Sequence, residues 1–129
     1  MTEKEFFDFF IDKYVNETGQ DIPGEMGYYL NYFMDNYPPE KLGLQISKKV
    51  AARIFHEFMI NVLNIEDRQW QESQKLKDIY DCRVCSNAIA QIYDRGIMGV
   101  AGEGYFGLND TFDKEQAEDI VNRFIEAVS

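Results

Sequence analysis

The sequence predicts an all-α fold, a compact bundle of about five to six helices, and three observations predict it. Apolar residues recur at three- and four-residue steps through most of the chain. Capping residues stand at the starts of these stretches and glycines or prolines at their ends. Strand signals are weak throughout.

Each element follows in order. Thr2-x-x-Glu5 is a capping-box signature, and Phe6, Phe7, Phe10, Ile11, Tyr14 and Val15 behind it form a wide apolar stripe. This predicts a helix over about 3–17, closed by Gly19, with a turn at Asp21-Ile22-Pro23-Gly24. A second helix is predicted over about 25–36, carrying Met26, Tyr29, Leu30, Phe33 and Met34 and stopped by Pro38-Pro39. Ser47 then caps a third, over about 48–63, with Val50, Ala51, Ile54, Phe55, Phe58 and Met59 inward. The polar stretch Ile65 to Lys77 reads as a short helix or turn around Trp70. A further helix is predicted over Asp81 to Asp94, with Cys82, Cys85, Ala88, Ile89 and Ile92 on one face and Gly96 as its left-handed cap. Gly99 to Thr111 is too rich in glycine for either regular structure. Asp113 offers an N-cap carboxylate to a last helix with Ala117, Ile120, Val121, Phe124 and Val128 inward.

The chain has 129 residues, which fits one domain over 1–129 with its own core. Within it, Ser47 aligns with Asp113, Ala51 with Ala117, Phe58 with Phe124 and Val62 with Val128 at one constant offset of 66. The expected repeat units run over about 26–64 and 79–129, beside the N-terminal helix. Similarity of this kind also arises whenever two capped amphipathic helices are compared.

With 23 acidic against 13 basic residues the formal charge is −10, while 45% hydrophobic content argues for a folded globule. Such a surface repels phosphates and anionic lipid, so neither nucleic acid nor a membrane is an expected partner. It suits a basic partner, or it confers solubility. No basic leader with an apolar core follows Met1, which makes the cytoplasm the expected location; an extracellular, wall-bound location would require a leader.

The candidate chemistry is sparse. Gly102-Glu103-Gly104-Tyr105-Phe106-Gly107 spells G-x-G-x-x-G, but a helix precedes it where a dinucleotide site needs a strand. Cys82-Arg83-Val84-Cys85 is a lone C-x-x-C with too few further ligands for zinc, and its spacing favours two buried, reduced thiols over a redox pair or a shared metal. His56-Glu57 starts like H-E-x-x-H, yet Ile60 stands where the second histidine belongs. No nucleophile-and-base set is visible, so the expectation is a non-enzymatic protein without metal or cofactor. Tyr28, Tyr29, Tyr32 and Tyr37 cannot all share one helical stripe and are interface candidates, against the alternative of a broad core with hydroxyls reaching water.

The segment 79–129 resembles an S-layer homology (SLH) motif. The matching residues are Ala88-Ile89, Gly96-Ile97-Met98, Gly104-Tyr105-Phe106-Gly107, Asn109-Asp110 and Asp113-Lys114-Glu115-Gln116-Ala117, with a weaker copy at about 26–64. The resemblance implies helix–loop–helix units around a pseudo-threefold axis. It places Lys114, Lys48 and Asp113 as ligand-binding residues, with Lys114 where the family carries an arginine that helps hold an acidic cell-wall polysaccharide. A helix N-terminus there would favour an anion; the plainer alternative is a solvated lysine in a first helical turn.

Three functions are therefore carried forward. The first is a protein-interaction module, binding a protein partner or a second copy of itself. The second is an SLH-type module anchoring to a wall polymer. The third is an acidic mimic of nucleic acid that occupies a basic protein.

Overall fold

The structure is a computed structural model that describes residues 1–20 and 43–129. Among these residues it contains four α-helices: α1 (Glu3–Thr18), α2 (Lys48–Asn61), α3 (Ser86–Asp94) and α4 (Lys114–Val128). A 3-10 turn, Glu72–Lys75, is all that forms in the polar stretch around Trp70. The helical class therefore holds among the described residues, which contain four of the five to six helices expected for the chain. The helix expected over 25–36, with Tyr28, Tyr29, Tyr32 and Tyr37, lies outside the described residues. Strand-like pairing among the described residues is confined to isolated bridges, Thr2 with Gln45, Ser47 with Thr111 and Gly102 with Tyr105.

The local signals at α1 and α4 act as read. The Glu5 amide donates to Thr2 Oγ1 at 3.1 Å and the Thr2 amide to Glu5 Oε1 at 2.9 Å, a complete capping box. Asp113 and Gln116 repeat the arrangement at α4, at 2.9 and 3.1 Å. Ser47 occupies the N-cap of α2, but its side chain makes no capping bond. The Lys48 and Lys49 amides instead donate to the carbonyls of Asp110 and Leu108, at 2.9 and 3.0 Å. At its other end α2 stops at Asn61, two residues short of expectation. The amides of Val62 and Leu63 both turn back to the Phe58 carbonyl, and Asn64 follows with a φ of 55°.

The larger correction concerns α3, which begins at Ser86 rather than Asp81. Residues 82–85 form a turn, in which the Cys85 amide donates to the Cys82 carbonyl at 3.0 Å. Cys82 and Cys85 are joined by a disulfide across a Cα–Cα distance of 5.2 Å, where the spacing favoured reduced thiols on a helical face. The helix ends as expected. Gly96 takes a φ of 76°, its amide reaches the Tyr93 carbonyl, and the Ile97 amide reaches the Ile92 carbonyl at 3.1 Å. That is the Schellman pattern, and it carries Ile97 into the core with no exposure.

The bridges fix how the helices pack. Thr2 pairs beside Gln45, and Ser47 pairs with Thr111, so the N-termini of α1, α2 and α4 lie together at one end. The three helices run parallel from there. Their facing sides bury Phe6 and Phe10, Phe55 and Phe58, and Phe124. The Phe10 ring meets Phe55, Phe58 and Phe124 edge-on, with centroids 5.0, 5.0 and 5.1 Å away. Phe55 stacks on Phe124 at 4.6 Å. Edge-to-face and offset contacts suit the ring quadrupole, worth about 0.5–1.5 kcal/mol per pair beyond burial. Phe58 and Phe124, which the 66-residue offset aligns, are 6.0 Å apart.

Candidate functional site

A groove of about 830 Å³ opens between the first half of α4 and the loop that precedes it. Its floor is apolar, with Met98 and Phe112 nearly buried and Ile120 half-buried. Its walls carry Asp110, Asp113, Glu115 and Asp119, against the side chains of Lys48 and Arg123. Asp113 is there because it caps α4, and Glu115 and Asp119 follow on that helix. Arg123 lies one turn beyond Asp119 and meets its carboxylate at 3.2 Å, with both side chains more than half exposed. Such a pair contributes little stability, but it offsets part of one carboxylate's charge.

Lys48 enters the groove from α2 and is not available as a free cation. Its Nζ donates to the carbonyl of Gly99 at 2.8 Å and to that of Phe106, and it sits 4.3 Å from the centre of the Phe106 ring. Burial pushes its ammonium below the ordinary lysine value, while the nearby Asp110 and Asp78 pull it back up. Of the three residues singled out from sequence, the structure brings Lys48 and Asp113 to this groove. Lys114 stands exposed on the first turn of α4 and does not line it.

The glycine-rich loop explains itself internally. Asp78, nearly buried, accepts from the Phe106 amide at Oδ1 and from the Gly107 amide at Oδ2, both at 2.9 Å. These are two of the amides that a phosphate would need, and a carboxylate of the chain already holds them. The loop closes on itself through Ala101 N–H to Tyr105 O at 2.9 Å and Tyr105 N–H to Gly102 O at 3.0 Å. The G-x-G-x-x-G spelling thus records a need for unusual backbone angles rather than a nucleotide.

His56 also finds a partner within the fold. Its Nε2 lies 2.8 Å from Asp67 Oδ1, and Asn87 donates to the other carboxylate oxygen at 2.9 Å. Burial alone would raise the Asp67 carboxyl; the bonds from His56 and Asn87 hold it below the ordinary value. Asn87 further accepts from Trp70 Nε1 at 3.0 Å, so the cluster ties the 65–71 segment to α3. Among the described residues no cysteine or serine nucleophile is bonded to this histidine.

Asp110 and Glu115 entered the sequence reasoning only as parts of the SLH-like pattern, and Asp119 and Arg123 not at all. The available signal was the i, i+4 spacing of Asp119 and Arg123 on the outer face of α4, which is common in an acidic chain. Among the described residues no three His, Cys, Asp or Glu side chains gather as a metal-binding set, and no helix is long and apolar enough to cross a membrane. Set against family models, curated proteins and solved structures, the chain has no match.

Proposed function

We propose that the chain is a non-enzymatic protein-interaction module of SLH-like fold, and that the groove beside α4 takes a basic segment of a partner protein. One observation carries this reading. Four carboxylates rim an apolar floor, while one of the two cations present is spent on loop carbonyls and the other is paired. Charge at the rim steers and selects a partner, and the apolar floor supplies the area to hold it. The SLH-like part of the reading is supported by three helix starts that lie side by side, two of them closed by capping boxes. The acidic lining counts against an acidic polysaccharide, since Lys48 is engaged and Lys114 stands outside.

The test compares two charge reversals that change the net charge equally. A fluorescent oligolysine peptide is titrated by anisotropy against the native chain, Asp119→Lys and Glu72→Lys, the last placed on the exposed 3-10 turn. Asp119→Lys is expected to weaken binding about tenfold and Glu72→Lys to leave it nearly unchanged. Equal losses from both would reduce the interaction to bulk charge and remove the groove from the reading.

A further inference from the structure

The turn ahead of α3 combines four features that the acidic groove does not use. First, its disulfide closes a very short loop, Cys82 to Cys85. A crosslink over so few residues restrains the unfolded chain least of all, so stabilisation is a weak reason for it. Second, the two sulfurs are unequally placed. Cys85 is 2% exposed at the N-cap of α3, whereas Cys82 is half-buried in the turn before it.

Third, the turn is built without help from the sulfur–sulfur bond. Ser86 Oγ donates to the carbonyls of Ile79 and Cys82 at 2.6 and 2.9 Å, and the Asp81 amide donates to the Asp78 carbonyl at 3.0 Å. None of these bonds passes through a sulfur, so each is available to hold the turn when the disulfide opens. Fourth, apolar side chains stand out in water around it: Tyr80 is 69% exposed and Val84 75%. The Tyr80 ring lies 5.9 Å from Trp70, and the exposed Arg83 separates the cysteines.

We propose that Cys82 and Cys85 form a thiol–disulfide exchange site for a protein dithiol that docks on Tyr80 and Val84. A thiolate of the external dithiol attacks Sγ of Cys82. A sulfur–sulfur bond forms there, the Cys82–Cys85 bond breaks, and its electron pair leaves on Cys85 Sγ. The start of α3 favours a thiolate at that sulfur, its burial among core side chains opposes one, and a better leaving thiolate leaves faster. The second thiol of the dithiol, as its thiolate, then attacks its own sulfur in the mixed disulfide and expels Cys82. The external dithiol departs oxidised, and Cys82 and Cys85 take up the two protons it has lost. Two electrons pass in all, from the external dithiol to the Cys82–Cys85 pair, and the same steps in reverse reduce a partner's disulfide.

The test measures reduction of the oxidised full chain by dithiothreitol, in the native state and again unfolded in guanidinium, with iodoacetamide quenching and mass spectrometry. The native chain is expected to react about tenfold faster than the unfolded one, with its helical circular dichroism unchanged. The Cys85→Ser variant should trap a mixed disulfide on Cys82 with thionitrobenzoate. Should that variant fail to fold, Cys82→Ala is the second arm, and its Cys85 should resist the same reagent. Val84→Asp should slow reduction by a thioredoxin-type protein dithiol but not by dithiothreitol. The proposal falls if the native rate is no greater than the unfolded rate, if reduction removes the helical signal, or if the pair stays reduced in air.

Discussion

Gly107 shows how much one residue can decide. Its φ is +82°, and a Cβ at this position would come within 2.9 Å of the Ala101 Cβ as well as crowding the Asp110 carboxylate. Its amide is one of the two that Asp78 holds. Gly107→Ala therefore imposes a left-handed alanine and a clash together, and is expected to cost about 2–3 kcal/mol in urea unfolding. Gly99→Ala, where a Cβ meets nothing within 4 Å, is the control and should be close to neutral. The spelling of the loop made its glycines conspicuous, but nothing near them in sequence pointed to Asp78, which lies 28 and 29 positions away. A pattern of residue types records the need for a backbone angle; the group that exploits the angle arrives from elsewhere in the chain.

At the level of elements, α1, α2 and α4 were legible, α1 and α4 because they carry their own caps and α2 because its apolar stripe is continuous. Thr2 with Glu5 and Asp113 with Gln116 complete their bonds within four residues, so the sequence displays both partners. The start of α2 depends on carbonyls at Asp110 and Leu108, and no reading confined to the stretch around Ser47 could supply them. The 81–85 segment was misread for a related reason, because cysteines three apart fit a helical face and a tight turn equally well. The groove was still less legible. It draws on Lys48, the 98–101 loop and residues 110–123, and its carboxylates look no different in sequence from the many others. Asp94 provides the test at this scale, because it ties the 3-10 turn to α3. It accepts from the amides of Gln71 and Ser73 at 2.9 Å and from Ser73 Oγ at 2.7 Å. Burial would raise its carboxyl, yet those donors hold it below the ordinary aspartate value. A carboxyl lowered by folding contributes stability above its unfolded value, near pH 4, and loses it as pH falls through the folded value. Asp94→Asn is expected to cost about 1–2 kcal/mol at neutral pH. Thermal unfolding between pH 7 and 2 should show that difference shrinking at the acid end.

At the scale of the whole molecule, the core of the described residues rests on rings contributed by three parallel helices. A Phe→Ala change in such a core costs about 3–5 kcal/mol, a large share of the stability of a small domain. Removing residues 114–129 withdraws Phe124 from Phe55 and Phe10 together, along with the buried Ala117 and Val121. The shortened chain is expected to lose its near-ultraviolet circular dichroism and to expand in small-angle scattering. Retention of a native spectrum would mean that α1 and α2 close the core by themselves.

Parallel packing has one more consequence, which concerns time. Antiparallel helices joined by short loops can dock as soon as each pair is made. Here α1 leaves its first turn beside the bridge to Gln45, and among the described residues the aromatic face it presents meets α2 first and then a helix that begins at Lys114. Contacts so distant along the chain form slowly, and a ribosome delivers the N-terminal partner first. During synthesis Phe10 therefore meets Phe55 and Phe58 once α2 has emerged, and gains its contact with Phe124 only when α4 follows.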